Sequence, residues 1–337
     1  MAKKLFIKIG IVLVFVIIID FSVGRTLRYF FFRQTSGLHF RTTYVMEKTN
    51  ADILIFGASR ANHHYVPEVF EDSLKMSFYN AGRDGTNIFF QLAVLKSVLK
   101  RYTPKLIILD HDDTFDKSQD SYDRISSLLP YYMTHQEIRK IVELKSPYEK
   151  IKLCSGIYPF NSEVLTIAMG NLPSNQGRNP DNKGYVASYN EWNKDIQFAY
   201  YPSRDIDSNK INAFKAFISL AKKSNIEVII FFSPIYQIRN VPIDIHIVNK
   251  ICSEENVLFF DYSTDPTFLN NRQLFADIFH MNNKGATLFS SMAISKIKGD
   301  YKRFDTKSSL VRYIGLKVKN TVVNSVDIRF MTLATDG

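Results

Sequence analysis

Short apolar runs interleaved with helical patterns restrict this chain more than any other feature. The runs are Ile53–Phe56, Ser77–Tyr79, Leu106–Leu109, Val228–Phe232 and Val257–Phe260. Among them lie Ile88–Leu99, Asn209–Lys223, Ile243–Glu254 and Lys284–Ile297, with apolar residues at helical intervals such as Leu92, Leu95, Val98 and Leu99. Strands that alternate with helices pair in parallel, and a parallel sheet is covered on both faces. The expected fold class is therefore α/β, a three-layer α/β/α sandwich around a parallel five-stranded sheet. Such sheets bind ligands outside the carboxyl ends of their strands, so the residues just after each run are the ones to examine.

The first run ends in Gly57-Ala58-Ser59-Arg60. A buried strand closed by glycine must bend sharply, and a serine on a tight strand-to-helix turn lifts its hydroxyl above the sheet. An ordinary turn would read the same way. What gives Ser59 weight is Asp277-Ile278-Phe279-His280, far along the chain. Serine is a weak nucleophile at its free pKa and needs a neighbouring base, and histidine titrates near operating pH. An aspartate can orient the imidazole and stabilise its charged form. Ser59, Asp277 and His280 are thus the candidate catalytic residues. Arg60 is a candidate substrate contact that would attract an anionic group, although a solvated surface arginine is the commoner outcome.

On these residues, the region from about 50 to 298 resembles the SGNH (GDSL-like) hydrolase superfamily. Within it the likeness is to the membrane-anchored proteins that acylate cell-surface polysaccharides, the alginate O-acetyltransferase-like group. Phe56-Gly57-Ala58-Ser59 is similar to the first block of that family, and Asp277-Ile278-Phe279-His280 to its last. Met281-Asn282-Asn283-Lys284-Gly285-Ala286 then leads into a final helix. Asn80-Ala81-Gly82, with Gly85 close behind, supplies the glycine of the second block. The resemblance implies an SGNH-type sandwich, an acyl-Ser59 intermediate, and an oxyanion held by the backbone N–H groups of Ser59 and Gly82. It implies neither a metal nor an organic cofactor.

The third block departs from that pattern. The family places an asparagine after the third strand, whereas Asp110-His111-Asp112-Asp113 puts Asp112 in the oxyanion position. An ionised carboxylate there would repel an oxyanion, and losing one donor typically costs about 10²–10³ in rate. Three outcomes are open: Asp112 is protonated, Asn87 substitutes for it, or the third donor is absent; Asn87 is also a candidate substrate contact. The same stretch, through Thr114 and Phe115, is similar to the Asp-x-Asp-x-Thr motif of haloacid-dehalogenase-like phosphatases. In that reading Asp110 is the nucleophile, Asp112 assists, Mg²⁺ sits among carboxylates and Ser233 serves as a second motif. Asp261-Tyr262-Ser263 makes a poor metal pair for it, and the motif follows the third strand instead of the first. A catalytically weak SGNH-like module that binds glycan or a protein partner is the remaining alternative.

The N-terminus carries Lys3-Lys4 and then an apolar run from Leu5 to Val23, interrupted by Lys8 and Asp20. About twenty residues suffice to cross a bilayer, and both charges lie near the ends. A signal peptide is the rival reading, but no small-x-small cleavage site follows. The expected organisation is a transmembrane anchor over 1–24 and a juxtamembrane linker over 25–48, with Phe30–Phe32 at the membrane interface. The α/β domain would occupy 49–300, and a basic tail 301–337. Within the domain, the long interval from about 115 to 205 reads as an insertion over the carboxyl ends of the strands, with one helix near Gln136–Leu144.

Either N-terminal reading exports the domain, to the periplasm or the cell exterior. The formal charge of +10 is scattered along the chain, which argues against nucleic acid and fits a cell-surface polysaccharide or an anionic membrane surface. A membrane-bound acyltransferase is a further expected partner. Adjacent His63 and His64 point to opposite sides in extended chain, so rim positions are expected for them and not a shared metal. His39, His135 and His246 are expected to be structural. Cys154 and Cys252 are the two cysteines, and their spacing leaves pairing open.

Overall fold

The computed structural model describes residues 2–111, 115–175, 181–200, 204–239 and 243–304. Asp112, Asp113 and Thr114, and most of the basic tail, lie outside the described residues.

The expected sandwich is present. Its sheet is built from β1 (Ile53–Phe56), β2 (Phe78–Asn80), β3 (Leu106–Asp110), β5 (Glu227–Phe232) and β7 (Leu258–Asp261), in the order β2-β1-β3-β5-β7. Every pair is parallel. Two further strands, β4 (Gln197–Ala199) and β6 (Gln237–Arg239), form a separate parallel pair that the sequence pattern did not announce.

Alternation along the strands sends side chains into two cores. Leu54, Phe56, Ile107, Leu109, Val228 and Ile230 join one, and Ile53, Ile55, Leu106, Ile108, Ile229 and Phe231 the other. The first is covered by α2 (Gly37–Glu47), α5 (Ile88–Val98), α6 (Ser208–Lys223) and α7 (Ile243–Glu254), after an N-terminal helix α1 (Ala2–Arg33). The second lies under α3 (Ser59–His64), α4 (Pro67–Leu74) and α8 (Asn283–Phe304). Burial on both faces explains why these strands read as unbroken apolar runs and not as alternation.

Two strands sit one residue later than expected. Ser77 is drawn out of β2 because its N–H and hydroxyl both donate to the Asp52 carboxylate, at 3.1 and 2.9 Å. The ladder then pairs Ile53 with Phe78. In the same way β7 begins at Leu258, paired with Ile229, and not at Val257.

Residues 25–48 are packed helix and not a free linker. Helix α1 continues through Arg33 without a break, and α2 packs against α5. Phe31 is buried in the first core, its ring 5.8 Å from that of Tyr131 and 5.7 Å from that of Phe160. The insertion likewise departs from a simple cover. Its first half folds into short helical turns whose Ile125, Leu128, Leu129, Ile138, Val142 and Phe160 belong to the first core. The expected helix at Gln136–Leu144 is a succession of 3₁₀ and α turns over Gln136–Lys145. The later part passes the site side of the sheet, where the Lys183 carbonyl accepts the Asn80 N–H, Val186 donates to the Asn62 carbonyl and Trp192 to that of Phe275.

Cys252 is buried on α7 while Cys154 is exposed in the insertion, and both are free thiols.

Candidate active site

Gly57 makes the turn after β1 possible. Its φ is +145°, and a Cβ there would lie 2.6 Å from the Ala61 side chain and 2.7 Å from the Asp110 carbonyl oxygen. No residue with a side chain fits that space in that conformation. The chain passes through Ala58 and enters α3 at Ser59, which therefore stands above the end of β1.

The loop Phe275–Met281 brings the other two groups. Asp277 Oδ1 accepts the N–H groups of Phe279 and His280, at 2.8 and 2.9 Å, which curls the four-residue motif on itself. The His280 ring then turns Nδ1 toward the same carboxylate, 3.0 and 2.9 Å from its two oxygens, and Nε2 toward Ser59 Oγ, 2.7 Å away. A carboxylate only accepts, so Nδ1 carries the proton and Nε2 is left to receive the serine hydroxyl. Burial pushes the Asp277 carboxyl up, but the hydrogen bonds from the His280 ring and the Phe279 N–H outweigh it and hold its pKa below the usual carboxylate value. The structure thus brings together Ser59, Asp277 and His280, residues 221 positions apart at the extremes of the Ser59–His280 contact.

His64 fixes this loop from below. It is fully buried on α3; its Nε2 accepts the Met281 N–H at 2.9 Å, and its Nδ1 lies 2.8 Å from Ser233 Oγ. Nε2 is therefore the unprotonated nitrogen and Nδ1–H the donor. Burial, reinforced by the charges of His280, Arg60 and His63, holds the His64 pKa well below its ordinary value, so the ring is neutral. His63 is about 100° round α3 from His64, not on the opposite side as extended chain would place it, and the His64 ring also lies near that of His280, at 6.4 Å. His63 Nδ1 is 2.6 Å from the Val186 carbonyl oxygen and its Nε2 is 3.4 Å from Asp84, with its ring 5.4 Å from that of His280. Burial disfavours charge on His63, but Asp84 and the Val186 carbonyl raise its pKa overall. The insertion returns at this point: Trp192 donates to the Phe275 carbonyl and Asn283 to that of Ser188.

The other expected site residues are placed differently. Arg60 is buried, donating to the carbonyls of Ser233 and His111 at 3.1 and 2.9 Å, with its guanidinium 3.8 Å from the centre of the Phe232 ring. It ties strand ends together and is neither a solvated surface charge nor placed to greet a substrate. Asn87 is the N-cap of α5; its Oδ1 accepts the Phe89 N–H at 3.1 Å and its Nδ2 donates to the Ser121 carbonyl at 2.7 Å. Its amide is therefore committed to the fold. Gly82 approaches α3 so closely that a Cβ would meet the Asn62 backbone nitrogen at 2.6 Å, yet its N–H donates to Asn80 Oδ1 at 2.9 Å. Asp112, expected at the oxyanion position, lies outside the described residues.

Asp110 is buried beneath the site. Its Oδ1 accepts the Ser233 N–H at 3.2 Å and lies 3.9 Å from the Arg60 guanidinium. Burial raises its pKa against the opposing influence of Arg60. A carboxylate tied in this way, with Ser233 engaged by His64, does not support a phosphatase nucleophile and its helper.

One residue escaped the sequence reading. Asn62, one helical turn after Ser59, is fully buried, and among the described residues neither of its side-chain atoms has a hydrogen-bond partner. The signal was its three-residue spacing from Ser59, which puts both on one side of a helix.

No protein-family profile matches the chain, nor does any curated protein. Among solved structures it is similar to a protein from Bacteroides fragilis provisionally described as an acylhydrolase, with 13% identity and a TM-score of 0.36 over 73% of this chain and 86% of that one. It is also similar to the psychrotrophic esterase EstA from Pseudoalteromonas sp., in a structure inhibited by monoethylphosphonate. There the identity is 11% and the TM-score 0.40 over 74% of this chain and 98% of that one. Likenesses this loose decide nothing about the chemistry, which has to be argued from the site.

Proposed function

We propose that the protein is a serine-dependent acyl-ester hydrolase or acyltransferase. The observation that carries this reading is the 2.7 Å contact of His280 Nε2 with Ser59 Oγ, with Asp277 on the opposite ring nitrogen. Ser59 Oγ attacks the ester carbonyl carbon as its proton passes to His280 Nε2. The tetrahedral intermediate expels the alcohol, which takes that proton, and leaves an acyl-Ser59. Water or an acceptor hydroxyl, deprotonated by His280, then attacks the acyl carbon and releases Ser59. The Ser59 N–H, at the first turn of α3 where no intrahelical acceptor exists, faces the developing oxyanion. The Asn62 amide supplies a second donor, since the Gly82 N–H is engaged by Asn80 and would have to exchange partners.

The acceptor or ester carrier in this reading is a cell-surface glycan, handled outside the cytoplasm by a protein that keeps its N-terminal helix as an anchor. A membrane-bound acyltransferase would serve as acyl donor. Helix α1 is long and apolar enough to cross a membrane, and none of its apolar window is buried.

The test is active-site titration with a serine-directed aryl phosphonate, read by intact mass together with turnover of an aryl acetate. Stoichiometric labelling of the wild type and none of Ser59→Ala is expected. If neither protein is labelled and the wild type turns over no ester, the engaged Gly82 N–H becomes the decisive feature and the chain is a glycan- or partner-binding module.

A further inference from the structure

Helix α1 meets the domain along one face and leaves it at a definite point. Asp20, Gly24, Leu27 and Phe31 recur three or four residues apart and, with Arg28 beside them, are buried or half-buried, whereas Leu5 through Ile19 are exposed except for a half-covered Gly10. The exit is fastened by Asp20. Its Oδ1 accepts the Ser155 hydroxyl at 2.6 Å and the Ile157 N–H at 3.3 Å, and its Oδ2 accepts the Gly156 N–H at 2.6 Å. Gly24 lies against Gly156 so tightly that a Cβ on it would come within 2.3 Å of the Gly156 carbonyl carbon.

Length then sets where the bilayer must be. From Leu5 to Ile19 the exposed rod, apolar but for Lys8 near its outer end, rises about 22 Å at 1.5 Å per residue. The hydrocarbon core is about 30 Å thick. An anchor this short reaches across only if the bilayer boundary extends past Asp20, taking in the exposed Phe21 and Val23. A carboxylate at that depth is costly unless its oxygens are satisfied. Here the insertion loop satisfies them, and the loop is carried to the boundary with it. The residues just before it are dressed for that position: Tyr148 is 66% and Ile151 72% exposed, and Lys150 is exposed beside them. Arg25 follows on α1 five residues beyond Asp20, about one and a half turns.

We infer that residues 148–157 form a membrane seat, a tip of the insertion that lies in the headgroup boundary of a phospholipid bilayer beside the anchor. Tyr148 and Ile151 enter the acyl boundary, and Lys150 and Arg25 reach lipid phosphates by snorkelling. The seat holds the catalytic face at one height and tilt above the membrane, which a single helix on a flexible tether would not do. This inference rests on α1 being a retained anchor.

The native Cys154 is an exposed reporter within the tip, and Cys252 is buried. The full-length protein, labelled at Cys154 with bimane and placed in phosphatidylcholine–phosphatidylglycerol vesicles, is quenched by lipids spin-labelled at the headgroup, by lipids labelled deep in the acyl chain, or by aqueous iodide. Strong headgroup quenching with weak iodide quenching is expected. The double variant Tyr148→Ser and Ile151→Asp should lower headgroup quenching several-fold while the protein stays with the vesicles in a carbonate wash. Asp20→Asn, which keeps the shape and weakens the tie, should lower it less. Iodide quenching of the wild type with no lipid quenching, in protein that resists the wash, would overturn the seat alone. Release of the wild type by carbonate would overturn the anchor reading beneath it. Cys154–Cys154 crosslinks in place of lipid quenching would show that a second copy covers the tip, and would also overturn the seat.

Discussion

The nucleophile and the base of the candidate site are held by different means. Ser59 stands on a turn determined by backbone: a strand buried on both faces, a glycine at φ +145° and a short helix pressed against Gly82. His280 stands on a loop outside the sheet, held by hydrogen bonds from three directions. The Asp277 carboxylate curls the loop, His64 takes the Met281 N–H, and Tyr236 donates to the Ile278 carbonyl. The serine's position is thus a consequence of packing, which any change of side-chain volume would disturb. The base depends on a few polar contacts, each removable alone. Single substitutions around His280 should therefore alter catalysis with the fold intact, while those around Gly57 should alter both.

The largest effect belongs to the attacking atom. Ser59→Ala should lower kcat by about 10⁶, the scale seen when a triad serine is removed, with the thermal midpoint unchanged; turnover within tenfold of wild type would reject the triad. Asp277→Asn should cost about 10⁴, since the amide favours the wrong imidazole tautomer. A loss as small as tenfold would mean that the His64 contacts orient the ring unaided.

Asn62 sharpens the contrast on the serine side. Replacing an unpartnered buried amide by an apolar group of like shape is neutral or stabilising for the fold. Losing an oxyanion donor costs about 10²–10³ in kcat. Asn62→Leu should thus hold or raise the melting temperature while lowering kcat and leaving KM nearly unchanged. Unaltered kcat would remove Asn62 from the mechanism.

His64→Leu strips the Met281 N–H and Ser233 hydroxyl of their partner, at a cost of about 1–3 kcal/mol in stability. It should lower kcat by about tenfold without changing KM, and His64→Gln, which keeps an acceptor and a donor, should recover part of the loss. Equal stability losses with full kcat in both variants would make His64 merely structural.

The smallest effect concerns His63. Its folded pKa is raised, so its contribution to stability is fully present below the unfolded value near 6.5 and is lost as the pH rises through the folded one. Wild type should lose slightly more thermal stability than His63→Gln between pH 6 and 8.5, by an amount within the ~0–1 kcal/mol typical of exposed ion pairs. Parallel curves for the two proteins would show that the Asp84 contact carries no stability.

Local pattern determined much of this protein. Apolar runs and helical spacing are properties of neighbouring residues, so they specified the parallel sheet, its helices and the strand end on which Ser59 stands. The Asp277–His280 spacing likewise specified a motif able to close on itself, because a carboxylate can reach the N–H groups two and three residues on. Tertiary structure decided what adjacency in sequence does not encode. Arg60, next to the serine, is turned inward to the carbonyls of His111 and Ser233, 51 and 173 residues away. Asn87 is taken up by a helix cap, and Gly82 by Asn80. His64 gained its place only when α3 met the loop after Phe275, 217 residues on. Asp20 reads in sequence as a flaw in an apolar span, and its partners arrive from 135 residues downstream. The physical reason is common to all of these. A buried polar group must find a partner wherever the packed chain supplies one, and the apolar pattern that drives the packing says nothing of which distant donor will be there.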